Sequence, residues 1–85
     1  MRTKEEIKAQ DNTVDECLEI APSPFGTYYL IRTNLAFPTF VVGEWRADGM
    51  VRQILKCGAE WSARKFWHTL LTAGEQAATV EEAIQ

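Results

Sequence analysis

The 85-residue sequence predicts an α+β fold: a small antiparallel sheet of three to four strands in a meander, packed on one face by a C-terminal helix, with short helical ends. Three observations carry this. Two β-branched and aromatic runs, Thr27–Thr33 and Thr39–Arg46, read as strands. Asp48-Gly49 between strand-like segments marks a hairpin. Ala63, Phe66, Trp67, Leu70 and Leu71 then recur at i, i+3, i+4, i+7 and i+8, the stripe of a helix with one buried face.

From the N-terminus, Thr3 and Glu6 are spaced as a capping box, so residues 4–10 form a short helix, and residues 1–12 as a whole are a short or frayed helical end. Residues 13–21 carry two signals. Val14, Cys17, Leu18 and Ala21 have helical spacing, whereas Leu18-Glu19-Ile20 alternates; the compact turn that follows favours a strand. In Pro22-Ser23-Pro24-Phe25-Gly26 the prolines fix φ, and Gly26 can take the left-handed conformation, so the segment reads as a turn. Thr27–Thr33 follows as a strand, Asn34–Phe37 as a loop, and Pro38 opens the next strand.

A two-residue loop at Asp48-Gly49 pairs Ala47 with Met50, Trp45 with Arg52, Gly43 with Ile54 and Val42 with Leu55. Alternation then divides the side chains. Phe40, Val42, Val51, Leu55 and Cys57 face the core helix, and Val41, Trp45, Met50 and Ile54, with Arg52 and Lys56, lie opposite. Gly58 ends the sheet. Ser62 is the expected N-cap, with Trp61 stapling onto Phe66. Gly74 closes this helix, and Thr79 with Glu82 caps a last one.

Composition bounds the class. With 46% hydrophobic and 25% charged residues, the chain is a single globular domain of residues 1–85. A chain of this length buries only about 60% of its unfolded surface, so its core is thin. No run approaches the ~20 apolar residues of a membrane span, and the charged N-terminus lacks an apolar signal core. No membrane contact and a cytoplasmic location are therefore expected. Cys17 and Cys57 are too few for a disulfide framework and read as reduced thiols, with Cys57 on the core face and buried.

The net charge of −3 is unevenly spread. Residues 1–20 and 75–85 are acidic, whereas 46–68 are basic through Arg46, Arg52, Lys56, Arg64 and Lys65. Charge matching between ends and middle explains this, and an anion-facing surface is the alternative. Arg64, Lys65 and His68 are the candidate anion contacts, because Arg64 and Lys65 fall in the first turn after Ser62, beside unpaired amide donors.

Nothing assembles into catalysis. His68 is the sole histidine and has no nucleophile-and-acid constellation around it, and Cys57 sits on an apolar face. Metal-ligand spacing and a phosphate-cradling glycine loop are absent from the sequence, so neither metal nor cofactor is expected. The functional expectation is a non-enzymatic binding or regulatory protein. In size and composition it is similar to small accessory proteins of phages and plasmids. Its expected contact is the sheet face of Val41, Trp45, Met50, Arg52, Ile54 and Lys56, rich in the aromatic and arginine side chains that anchor interfaces. The polar N-terminal segment reads as a poor cover for that face, and the occupant is a protein partner or a second copy in a homodimer. The alternative is a nucleic-acid-binding domain using a basic sheet and helix surface, against which the negative net charge counts.

Overall fold

The computed structural model describes the backbone of residues 1–84 and the side chains of residues 1–73. The elements are α1 (Lys4–Ala9), β1 (Val14–Ser23), β2 (Gly26–Thr33), β3 (Phe40–Arg46), β4 (Val51–Cys57) and α2 (Glu60–Ile84). The strands form one antiparallel meander in the order β1-β2-β3-β4, and α2 packs on one face of it. This is the α+β architecture expected. No helix among the described residues is long and apolar enough to cross a membrane.

α1 starts where its cap dictates. Thr3 Oγ1 accepts from the Glu6 amide, and Glu6 Oε1 accepts from the Thr3 amide, completing the capping box. Residues 14–23 are a strand, and β1 also explains its own helix-like spacing. Asp15 and Leu18 are extra residues in two bulges against β2. Each bulge resets the alternation, so Val14, Cys17 and Ile20 all face α1 while Leu18 and Ala21 face α2.

The turn at Pro24-Phe25 brings Ser23 opposite Gly26. Gly26 does not use its freedom to adopt positive φ; among the described residues only Gly49 does, at +91°. Gly26 is needed for close approach instead, since a Cβ there would collide with the Trp45 carbonyl oxygen. The β3–β4 loop corrects the register. The Gly49 amide donates to Arg46 O at 3.0 Å and the Arg46 amide to Met50 O at 2.8 Å. Ala47-Asp48-Gly49 is thus a three-residue loop with its one left-handed residue at Gly49, not a two-residue turn.

That added residue shifts the pairing to Trp45↔Val51, Glu44↔Arg52 and Gly43↔Gln53, and a one-residue slip exchanges faces. Val51 accordingly lies on the α1 side. Beyond it Ile54 is the extra residue of a bulge that restores Val42↔Leu55, Val41↔Lys56 and Phe40↔Cys57. The bulge turns Ile54 and Leu55 to the same side, where both pack under α2.

Two cores result. Under α2 lie Leu30, Phe40, Val42, Ala63 and Trp67, with Phe66, Leu70 and Leu71 against them, as the stripe predicts. On the other face Ile7, Val14, Cys17, Tyr29, Ile31 and Val41 cluster, with Trp45 beside them. The N-terminal segment therefore does cover that face: Ile7 is fully buried, and the Arg2 guanidinium stacks 3.8 Å above the Trp45 ring. One well-placed isoleucine achieves this without an apolar stripe.

α2 begins at Glu60, two residues before the expected cap; its first backbone bond runs from the Ala63 amide to Ala59 O at 3.2 Å. It continues through Gly74 to Ile84, so Gly74 does not stop it. Glycine costs about 1 kcal/mol in a helix interior, and the neighbouring alanines, Glu75 and Gln76 offset that. The side chains of Thr79 and Glu82, read as a separate cap, lie outside the described ones.

A candidate protein-docking surface

The residues expected to form one contact face are dispersed. Val41 is buried and Trp45 is half-buried beneath Arg2. Met50 is exposed at the hairpin loop, Ile54 packs under α2, and Arg52 and Lys56 are exposed on β4. Trp45 does not pair with Arg52; its cation is Arg2, and Arg52 reaches Glu44 at 3.5 Å. The one-residue register slip accounts for the change.

The candidate anion contacts also separate. Arg64 donates to Glu60 at 2.9 Å and to Glu19 at 3.1 Å, and these two hydrogen bonds raise its pKa and hold its charge. It ties α2 to β1, which is the expected charge matching between the acidic N-terminal end and the basic middle. His68 is exposed on α2 beside Thr69, Thr72 and Ala73. Lys65, one turn earlier on α2, lines an adjoining groove that shares Thr69 with it.

That groove, of about 350 Å³, lies between β4 and the first turns of α2. Leu55 and Cys57 come from β4, and Trp61, Lys65 and Phe66 from α2. β4 is an edge strand, so nothing in the sheet lies beyond it. α2 turns its Ala63–Trp67 stripe to the sheet, which leaves Trp61 off the stripe and 72% exposed at the groove rim. Trp61, expected as a staple onto Phe66, lines this groove with it, and the groove itself is not legible from that spacing. The available signal was that a tryptophan two residues before Ala63 cannot share the Ala63, Phe66, Trp67 face.

Glu44 is a second feature not singled out beforehand. It is 1% exposed; its Oε1 meets Arg52, and its Oε2 has no hydrogen-bond partner among the described residues. The Tyr28 hydroxyl, in the residue opposite, has a raised pKa, first from burial and then from the Glu44 charge. A glutamate within Phe40-Val41-Val42-Gly43-Glu44-Trp45 was the sequence signal.

The thiols are free and far apart in the fold, on opposite edge strands and opposite faces. Cys17 is buried, and burial pushes its pKa up to about 11, away from thiolate chemistry. Cys57 is only half-buried, because the groove opens onto it; the expected full burial is corrected. Among the described residues no group of three or more His, Cys, Asp or Glu side chains is placed to hold a metal ion. Comparison with protein-family models, curated proteins and solved structures returns no match.

Proposed function

We propose that this chain is a small non-enzymatic binding protein that docks a protein partner in the groove between β4 and α2. One observation carries the reading: Trp61 stands largely exposed at the rim of a groove floored by Leu55, Cys57 and Phe66, beside an unpaired sheet edge. Exposed apolar surface of this kind is costly on a monomer and marks interaction sites, and tryptophan is the side chain most enriched where binding energy concentrates. Lys65, exposed on the groove wall, selects for a carboxylate. The partner is therefore an apolar segment flanked by acidic residues. A second copy of this chain, with its acidic ends, is one such partner, and two free thiols suit the reducing cytoplasm.

Nucleic-acid binding is the less supported reading. Of the basic groups it would use, Arg52 faces Glu44, Arg64 is bound to Glu60 and Glu19, and Arg46 lies 3.9 Å from Asp48. The test is selection of displayed random peptides on the immobilised protein. Acidic–apolar sequences should be enriched, and Trp61→Ala should weaken their binding roughly 30-fold, as for a hot spot, without lowering the melting temperature. Failure to enrich any peptide, or indifference to Trp61→Ala, would overturn the reading. Tight, steeply salt-dependent binding of mixed DNA or RNA would replace it with the alternative.

A further inference from the structure

The two covers of the sheet are unequal. α2 seals its side with Ala63, Phe66, Trp67, Leu70 and Leu71. The opposite side is covered by α1, whose six residues are fewer than the ~12–15 an isolated helix needs to persist. Of those six only Ile7 is buried. Two further attachments come from Arg2: its guanidinium stacks on Trp45 at 3.8 Å, and its backbone amide donates to Thr27 Oγ1 at 2.9 Å. At the other end of the segment the Gln10 side chain reaches the Tyr29 hydroxyl, and Asn34 Nδ2 donates to Asn12 O at 2.7 Å, which marks residue 12 as the hinge. The cover is also incomplete. Beside it a groove of about 410 Å³ runs from Gln10 and Asp11 across Tyr29, Val41 and Val51, on the same face of the sheet.

We propose that residues 1–12 form a releasable strap, which opens as a unit while the strands and α2 stay folded. The attachments are few and confined to the α1 face, whereas the Leu30–Phe40–Val42–Trp67 core lies on the other face and loses no contact when the strap lifts. Opening bares Cys17, Tyr29, Val41 and Trp45 and merges them with the existing groove. Cys17 is the built-in reporter: it is buried in the cluster with Ile7, with its thiol held protonated, and reacts only when the cluster opens. This inference does not depend on the docking groove, which lies on the α2 side.

The experiment is native-state alkylation of the full chain, with Cys17 and Cys57 quantified separately by peptide mass spectrometry across sub-denaturing urea, alongside amide exchange. Cys17 should label with a shallow urea dependence, by a route that leaves the amides of β3 and α2 protected. Ile7→Ala should accelerate it roughly 30-fold or more, the equivalent of a truncated buried isoleucine. Arg2→Ala, a milder change, should accelerate it roughly 3- to 10-fold through loss of the cation–π contact. Neither should alter β3 protection. If Cys17 labelling follows the urea dependence of β3 exchange, or if Ile7→Ala fails to fold, α1 is an integral part of one cooperative core and the proposal is wrong.

Discussion

Gly43→Ala tests the register of the central strands. Gly43 lies directly opposite Tyr29, whose ring lies over it, and Tyr29 is only 4% exposed. A Cβ at residue 43 would come 2.5 Å from both the ring Cζ and the hydroxyl oxygen of Tyr29, and 3.0 Å from the Arg52 carbonyl. Carbon–carbon contacts settle at about 3.5–4.0 Å, so the ring must move by roughly 1 Å within the Ile7 cluster. Overpacking of this kind costs about 1–3 kcal/mol. Alanine recovers about 0.5–1 kcal/mol of the conformational freedom that glycine loses in a strand. The net expectation is a loss of about 0.5–2 kcal/mol, at about 4–8 °C of melting temperature per kcal/mol.

Gly58→Ala is the control: its Cβ meets nothing within 4 Å and its φ is not positive, so stability should hold or rise by about 0.4–1 kcal/mol. Urea denaturation of both variants, and of Gly43→Ala in a Tyr29→Val background, completes the test. The penalty at 43 should shrink once the ring is gone. A Gly43→Ala chain as stable as the parent, or a penalty unchanged without Tyr29, would refute the pairing of β2 with β3 described above.

Three further outcomes are expected from the same packing. Gly49→Val forces a β-branched residue to φ near +91° and should cost about 1–3 kcal/mol in chemical denaturation. Trp67→Ala, at 5% exposure, should cost about 3–5 kcal/mol, whereas Trp61→Ala, at 72%, should stay within about 0.5 kcal/mol of the parent. Cys17 titrates near 9.0 when unfolded and near 11 when folded, so the native state holds its proton more tightly. Its contribution is intact below pH 9 and is lost as pH rises toward 11, at up to about 1.4 kcal/mol per pH unit. Denaturation at several alkaline pH values should show this slope, and Cys17→Ser should remove it.

Elements governed by neighbours in the chain were legible beforehand. The α1 capping box, the β2 and β3 runs, the turn at Asp48-Gly49 and the Ala63–Leu71 stripe each rest on contacts within a few residues, and each is present. What differed was decided by contacts between distant segments. A three-residue loop replaced the two-residue one, and because side chains alternate with period two, that single residue moved Val51 to the other face. Bulges at Asp15, Leu18 and Ile54 reset the alternation so that apolar side chains reach whichever helix covers them, which no local spacing announces. α1 covers Trp45 through one isoleucine and one arginine stack, too little to show as periodicity. The candidate contact surface depended on those long-range choices. By sequence alone this chain determined α1, the β2 and β3 runs, the hairpin and the buried stripe of α2; the tertiary structure decided that residues 14–23 are a strand and which face each strand residue occupies, because register is set by cross-strand packing and the cost of leaving apolar area in water.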